Sequence, residues 1–290
     1  MSCFNGSKYI KYSVNSLLKQ TYENWELIFW DNCSTDNSAE IIKSFKDPRI
    51  KYHKAAKHTM IGEAKQNALN LASGNYVAFL DVDDIWLKKK IERQIDVFEK
   101  VEKDYAAVYT KYLLLDEREK VKKITRVNLY SYPSEYIFDD VMKSFSLGKP
   151  IVNNLTTLFK KSDILKLNPS FDKSLHVAAD FDLIERLSEK KKIFHLNTYS
   201  SNYRIHDNNE TKNTKDSQIK EIDIWINKNQ NRLKNNKYYK IIKQNNLYEK
   251  VKNATLDKNY IYAFKNIFLI KSLKRIILIF IMVIMPKKIL

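Results

Sequence analysis

The sequence predicts an α/β protein, with a mostly parallel sheet flanked by helices and a helical, basic C-terminal extension. Three observations carry that expectation. Helical and strand-like segments alternate from residue 9 to residue 101, at the spacing of parallel strands joined by crossover helices. Residues 76–80 (YVAFL) are an unbroken apolar run, as in a strand covered on both faces. After Arg204 the pattern turns to Lys/Asn/Tyr-rich helical stretches without a clear strand.

Each element has a local reason. Residues 9–20 read as an amphipathic helix with Ile10, Val14, Leu17 and Leu18 on one face. Residues 25–30 (WELIFW) form a short apolar strand and the polar stretch 31–37 a loop. A helix over 39–45 runs into Asp47-Pro48, which stops it, and 50–53 is the next strand. Residues 63–72 are helical and close at Ser73-Gly74, a glycine just past a helix end. After the strand at 76–80 come a helix at 91–101, strands at 106–115 and 155–159, and a helix at 181–187 with Ala179-Asp180 as its start. Residues 1–206 are therefore expected to form a catalytic domain and 207–290 a basic helical region.

Composition narrows the function. Hydrophobic residues at 44% and aromatics at 12% suffice for a core, which excludes whole-chain disorder. Four glycines and five prolines exclude collagen-like and low-complexity designs. Two cysteines, Cys3 and Cys33, make neither a disulfide framework nor a cysteine-rich zinc site and fit a reducing compartment. Residues 1–12 lack the pattern of a secretory signal, so a cytoplasmic protein is expected.

The net charge is +17, of which +12 lies from Arg204 onward. A basic tail suits an anionic membrane or a nucleic acid. Nucleic-acid binding calls for basic residues interleaved with aromatics, of which only Tyr238-Tyr239-Lys240 gives a hint. No nucleic-acid partner is expected. Lys274-Arg275 precede ten apolar residues (IILIFIMVIM) and Pro286-Lys287-Lys288 follow them. Ten is about half of the roughly 20 residues that span a bilayer. The reading is a helix over 274–290 lying on the inner membrane face, and its rival a terminal helix packed on the protein's own body.

In parallel α/β sheets ligands bind beyond the carboxyl ends of the strands, which points to the loops after Trp30 and Leu80. The second loop opens with Asp81-Val82-Asp83-Asp84. Three carboxylates so close repel one another unless a cation neutralises them, and Mg or Mn takes oxygen ligands from carboxylates and substrate phosphates together. The plain rival is a polar turn in which Asp84 caps a helix over 85–90. In the first loop, Ser34 or Asp36 caps the next helix, while Asp31 stands before the cap, where it can meet a base or ribose.

Read in order, Phe4-Asn5-Gly6, Gln20-Thr21-Tyr22, residues 25–38, Ala72-Ser73-Gly74 and residues 76–86 (YVAFLDVDDIW) form one ordered set. With Phe171-Asp172, residues 179–183 (ADFDL) and Tyr203-Arg204-Ile205-His206, that set resembles the inverting family 2 glycosyltransferases of the GT-A fold, over roughly residues 2–206. The resemblance implies a nucleoside-diphosphate sugar donor held through divalent Mn or Mg. It implies that Asp83 binds that metal, Asp81 lies against the donor's ribose and sugar, and Phe4 and Asp31 frame the base. Asp180 matches the general base. Arg204 and His206 match a motif near the diphosphate, with His206 as a further metal ligand. The acceptor is expected to be a saccharide or lipid-linked glycan in bacterial surface polysaccharide synthesis. Rivals are a metal-dependent nucleotidyltransferase, a basic nucleic-acid-binding protein and an inactive homologue.

Four departures from the pattern stand out. Ala179 replaces the acidic residue before the base, and Asn32 replaces a second carboxylate facing the nucleobase. Its carbonyl can still accept a hydrogen bond. Lys65-Gln66 stand where Arg-Asn is usual, keeping the donor-binding charge but not the guanidinium fork. The family's first apolar strand has no counterpart before Phe4, so the native chain is expected to start upstream or the protein to be of low stability. Trp86 is read as core, and His53, His58, His176 and His195 receive no role. Donor and acceptor choice is left to loops 153–157 and 175–179.

Overall fold

In the computed structural model, residues 1–100, 104–116, 120–122, 135–148, 152–209 and 215–284 are described. Ile10, Val14 and Leu17 line one side of helix α1 (Ile10–Leu18), and all three are buried. That face joins one buried core with strand β2 (Leu27–Asp31), whose Phe29 is wholly buried. Strands β1 (Ser2–Cys3), β2 and β3 (Ile50–Lys54) pair in that order, all parallel, with α1 and α2 (Ser38–Ser44) as crossovers.

Helix α3 (Ile61–Leu71) leads into β4 (Tyr76–Ala78), where a second sheet begins. Its other strands are β5 (Ile85–Trp86), β6 (Tyr105–Leu115), β7 (Val121–Lys122), β8 (Glu135–Tyr136), β9 (Leu158–Lys160) and β10 (Lys192–Arg204). The order is β4-β9-β6-β10-β5, with β7 beside β6 and β8 beside β10. Only β6 and β10 run parallel in this sheet. The alternation in sequence reports the parallel first sheet, and the second is mixed. Helices α4 (Lys90–Lys100), α5 (Phe138–Ser146), α6 (Lys161–Leu165) and α7 (Ala179–Ser188) complete this part.

Three details differ from the sequence expectation. The 13-residue β10 escapes notice because polar side chains such as Ser200, Ser201 and Asn202 are buried along it, so it lacks an apolar signature. Residues 85–86 pair with β10 rather than starting a helix, and 154–156 form a single 3₁₀ turn before β9. A strand, Ser2–Cys3, does lead into Phe4. Ser2 pairs with Trp30 and Cys3 with Asp31, and the Met1 ammonium donates to the Ile28 carbonyl at 2.9 Å. Burial lowers that amine to about 6. Beside Met1 a cleft of about 610 Å³ opens between Leu27 and Ile28 of β2 and Tyr76 and Val77 of β4.

The chain divides into two compact units, Met1–Val141 with Pro150–Asn213, and Met142–Lys149 with Thr214–Leu290. The second holds helices α8 (Lys215–Leu233), α9 (Lys237–Leu256), α10 (Tyr260–Ile267) and α11 (Leu273–Ile284). Its asparagines act as caps. Asn236 accepts from the Tyr238 and Tyr239 amides, and Asn259 from the Tyr262 amide. Trp225, wholly buried, packs with Tyr239, whose hydroxyl donates to the Ile226 carbonyl at 2.8 Å. Of the apolar stretch foreseen at the terminus, Met285 and Pro286-Lys287-Lys288 lie outside the described residues.

Lys90 is the exceptional core residue. Its side chain is buried, its Nζ donates to Gln94 Oε1 at 2.8 Å and lies 4.3 Å from the Trp86 ring centroid. No carboxylate bonds to it among the described residues, and burial lowers its pKa to about 7. The unfolded chain holds that proton up to about pH 10, so folding stability rises with pH between about 7 and 10. Lys90→Met should raise the unfolding free energy at pH 7 by about 1–2 kcal/mol and flatten that rise. Urea melts of both proteins across the pH range measure the difference.

Candidate active site

Two glycines set the frame by letting backbones touch. A Cβ on Gly6 would sit 2.9 Å from Val82 Cγ2 and 3.1 Å from Cys3 Sγ, so the turn after β1 lies directly on the acidic loop. A Cβ on Gly62 would collide with the carbonyl oxygens of Asp172 and Leu175, which fixes the start of α3 against the segment leading to α7. The loop after β2 is laced to the first turn. Asn5, at φ 52°, accepts from the Thr35 amide, and Ser38 Oγ and Asp36 accept from the Gly6 and Ser7 amides. Asp36 also accepts the amide of Ser38, the first residue of α2, although the N-cap is Asn37 rather than the expected Ser34 or Asp36. Against the effect of burial, the hydrogen bonds from Ser38 and Ser7 hold its carboxyl at about 2.

Asp31 and Asn32 sit deeper than expected. Asp31 is wholly buried, with Oδ1 accepting the Ser34 amide and Oδ2 the Tyr52 hydroxyl, each at 2.8 Å. Asn32 is clasped by Thr59, accepting its amide and hydroxyl at 3.1 Å and donating to its carbonyl at 2.8 Å. The exposed group at this corner is Phe4, whose ring lies 4.3 Å from that of His58. His58, given no role from sequence, also places Nδ1 3.0 Å from the Asn32 carbonyl oxygen.

The acidic loop at the end of β4 is the electrostatic centre. Asp84 is buried and accepts the Arg204 amide at 2.9 Å, so it caps no helix; residues 85–86 are a strand. Burial first, then Asp83 and Asp81, push its carboxyl well above the ordinary range. Asp83 is raised by burial and by Asp81, and pulled back by His206. His206 Nε2 lies 2.9 Å from Asp83 Oδ2, and Asn209 Nδ2 donates to that oxygen at 3.4 Å. Arg204 donates Nε to the Asp83 carbonyl at 2.9 Å and lies over the rings of Tyr9 and Tyr12. Asn209, Tyr9 and Tyr12 had no sequence signal, because only the turn of the chain after β10 brings them here.

The donor set suits a divalent cation. Asp83 Oδ2 and His206 Nε2, a hard oxygen and an imidazole nitrogen, already face each other at hydrogen-bond distance. Among the described residues no three His, Cys, Asp or Glu side chains enclose one point. The remaining positions would therefore fall to water and substrate phosphate, the habit of a cation held by few side chains.

Asp180 lies in the first turn of α7, where Ala178 is the cap residue, so Asp180 is not the N-cap. Both its oxygens accept from Lys65 Nζ at 2.8 Å, and Asn154 Nδ2 donates to Oδ1 at 2.9 Å. Burial and the charge of Asp81 raise its carboxyl, although Lys65 and Asn154 draw it down. Burial would lower Lys65, but Asp180 and Asp81 together hold it above its usual value. Lys65, expected on the donor, is thus engaged with Asp180. Asp182 pairs instead with Arg186 at 2.7 Å. The two loops left open for specificity meet here, with Asn154 from one and His176, which accepts the Ile61 amide at 3.2 Å, from the other.

The Gly62 contact is testable. Gly62→Ala must part α3 from the segment holding His176, and should cost about 1–3 kcal/mol of stability, measured by thermal or urea unfolding.

Comparison with known proteins adds the lineage. The family model described as "Glycosyl transferase family 2" matches residues 1–162. UDP-Glc:alpha-D-GlcNAc-diphosphoundecaprenol beta-1,3-glucosyltransferase WfgD of Escherichia coli is 33% identical over 153 residues, 51% of this chain and 55% of that protein. The chain thus spans little more than half of that relative's length. WfaP of Escherichia coli, which carries the same description, is 32% identical over 208 residues, 71% of this chain and 76% of that one. A crystal structure of S. aureus TarS 1-349 in complex with UDP-GlcNAc superposes with a TM-score of 0.61 at 18% identity, covering 79% of this chain and 65% of that one, a likeness of fold. With the family model spanning more than half of its sequence, the chain belongs to glycosyl transferase family 2 and has a GT-A glycosyltransferase fold.

Proposed function

We propose that the protein is an inverting glycosyltransferase that moves one sugar from a nucleoside diphosphate to a lipid-linked saccharide in bacterial surface glycan synthesis. One observation carries the reading: the charge of Asp81 is felt at Asp83, Asp84, Lys65 and Asp180, so the acidic loop and the base candidate share one electrostatic site. WfgD and WfaP bear names that specify an undecaprenol-diphosphate acceptor, which supports the lipid-linked saccharide. TarS has been crystallised with UDP-GlcNAc, which supports a nucleotide-sugar donor.

The chain's own residues divide the work. Phe4 offers the base an exposed ring, with His58 behind it and Asn32 beneath. Asp81 faces the donor's ribose and sugar. Arg204, fixed over Tyr9 and Tyr12, supplies positive charge near the diphosphate. Asp83 and His206 would hold Mn or Mg, which when bound stabilises negative charge on the leaving diphosphate as a Lewis acid. Asp180 accepts the proton of the acceptor hydroxyl as that oxygen bonds to the anomeric carbon, and the bond from that carbon to the diphosphate oxygen breaks. One displacement inverts the anomeric centre and needs no covalent nucleophile. Lys65 and Asn154 orient the carboxylate, and the charge of Lys65 favours its ionised form.

A screen of nucleoside-diphosphate sugars with Mn or Mg, following nucleoside diphosphate release, tests the proposal. Turnover of at least one donor is expected, and Asp83→Ala should lower kcat by about a hundredfold or more. Asp180→Asn should lose about 10²–10⁴ in kcat while still binding donor; full activity in that variant removes it as the base. Pyrophosphate in place of nucleoside diphosphate would make the enzyme a nucleotidyltransferase. Salt-sensitive nucleic-acid binding without sugar-nucleotide turnover would defeat the proposal altogether.

The pH profile follows from the electrostatics. The base works deprotonated and its carboxyl is raised, so activity should fall on the acid side above the ordinary aspartate value of about 4. Lys65→Gln removes the cation that draws Asp180 down, so this limb should move to higher pH. An unmoved limb in kcat-versus-pH curves would separate Lys65 from the base.

A further inference from the structure

The C-terminal helices bury one side and leave the other apolar in water. Ala263, Ile267, Ile270 and Ile279 share one buried cluster with Val251 of α9, so α10 and α11 are anchored to a common core. Their outward residues include Ile261, Phe264 and Phe268 on and after α10, and Leu273, Ile277 and Phe280 on α11. Ile261 and Leu273 are 73% and 71% exposed, values that water-facing helices ordinarily give to polar side chains. Phe264 and Phe268 pack edge to face, their centroids 5.7 Å apart, into one aromatic ridge.

Charge decides what this face meets. From Lys258 to the end of the chain there are seven Lys or Arg and no Asp or Glu. Lys265, Lys271 and Lys274 are exposed among the apolar residues. Two copies of such a face would repel each other, whereas an anionic lipid surface offers both acyl chains and compensating charge. The 12 described residues of α11 rise about 18 Å against a hydrocarbon core of about 30 Å. Among the described residues no helix is long and apolar enough to cross a membrane.

We infer that α10 and α11 together form a docking face for an anionic lipid bilayer, into which the Phe264–Phe268 ridge and Leu273, Ile277 and Phe280 insert while the lysines meet headgroups. This enlarges the terminal helix expected from sequence into a two-helix surface. It deepens, and rests on, the proposed lipid-linked acceptor, because an enzyme lying on the bilayer meets such a substrate in two dimensions.

Vesicle flotation with the full chain tests it without any glycosyl transfer, so its failure is distinct from failure of the proposed reaction. At 0.1 M salt the protein should bind phosphatidylglycerol-containing vesicles at least tenfold more than pure phosphatidylcholine vesicles, and 0.5 M salt should weaken the binding severalfold. The triple variant Phe264→Glu, Phe268→Glu, Leu273→Glu should lose at least tenfold in binding with unchanged circular dichroism and melting temperature. Should it unfold instead, Lys265→Ser with Lys271→Ser and Lys274→Ser, outside the apolar contacts, should still lower anionic-vesicle binding severalfold. Absence of wild-type binding at 0.1 M salt, equal binding to both vesicle types, or a stable dimer in sedimentation that the triple variant dissolves would overturn it.

Discussion

The constraint on which the site depends is the crowding of Asp81, Asp83 and Asp84 at the end of one buried strand. Burial and mutual repulsion raise the last two, and the surroundings offset that only in part. Asp84 receives a backbone amide, Asp83 a histidine and an asparagine, and the Arg204 guanidinium turns to a carbonyl of the same loop. Each of these partners comes from the end of β10 or the turn after it. The long strand thus carries its last residues to the acidic loop. A cation with phosphate oxygens would complete what the protein leaves incomplete.

The two Asp-rich loops show how composition and role come apart. In residues 31–38 every carboxylate is satisfied: Asp31 by an amide and a hydroxyl, Asp36 by amides of Ser7 and Ser38. Through Asp36 and Ser38 that loop fastens the turn after β1. In residues 81–84 burial, and then like charge, raise Asp83 and Asp84 instead.

This difference also marks what the sequence could tell. The DVDD stretch was legible because it follows an unbroken apolar run, and Arg204 and His206 because they stand in motif order. The alternation of the first hundred residues reported the parallel sheet, since crossover helices impose that spacing. Hidden were contacts between residues far apart in the chain. Lys65 meets Asp180 across 115 positions, Asn154 joins them, and Asn209 reaches Asp83 across 126. No local period encodes such meetings. β10 was hidden for another reason: Ser200 bonds to Thr110 of β6 and to Ser201, and with buried Asn202 these polar residues give the strand the composition of a loop.

In the helical unit the same physics reads in the opposite direction. Asn236 and Asn259 accept the first amides of their helices, so part of the polar composition there is spent on caps. The apolar excess has no such local use. Helix α11 is apolar around most of its circumference, yet the cluster beneath it takes Ile279, with Ile276 against its edge. A helix uniformly apolar in a small bundle exceeds what its neighbours can cover, and water does not reward the remainder. That remainder coincides with the longest stretch of the chain free of acidic residues. Hydrophobicity without a core and positive charge without a counter-charge are both resolved by a surface that is greasy below and anionic above.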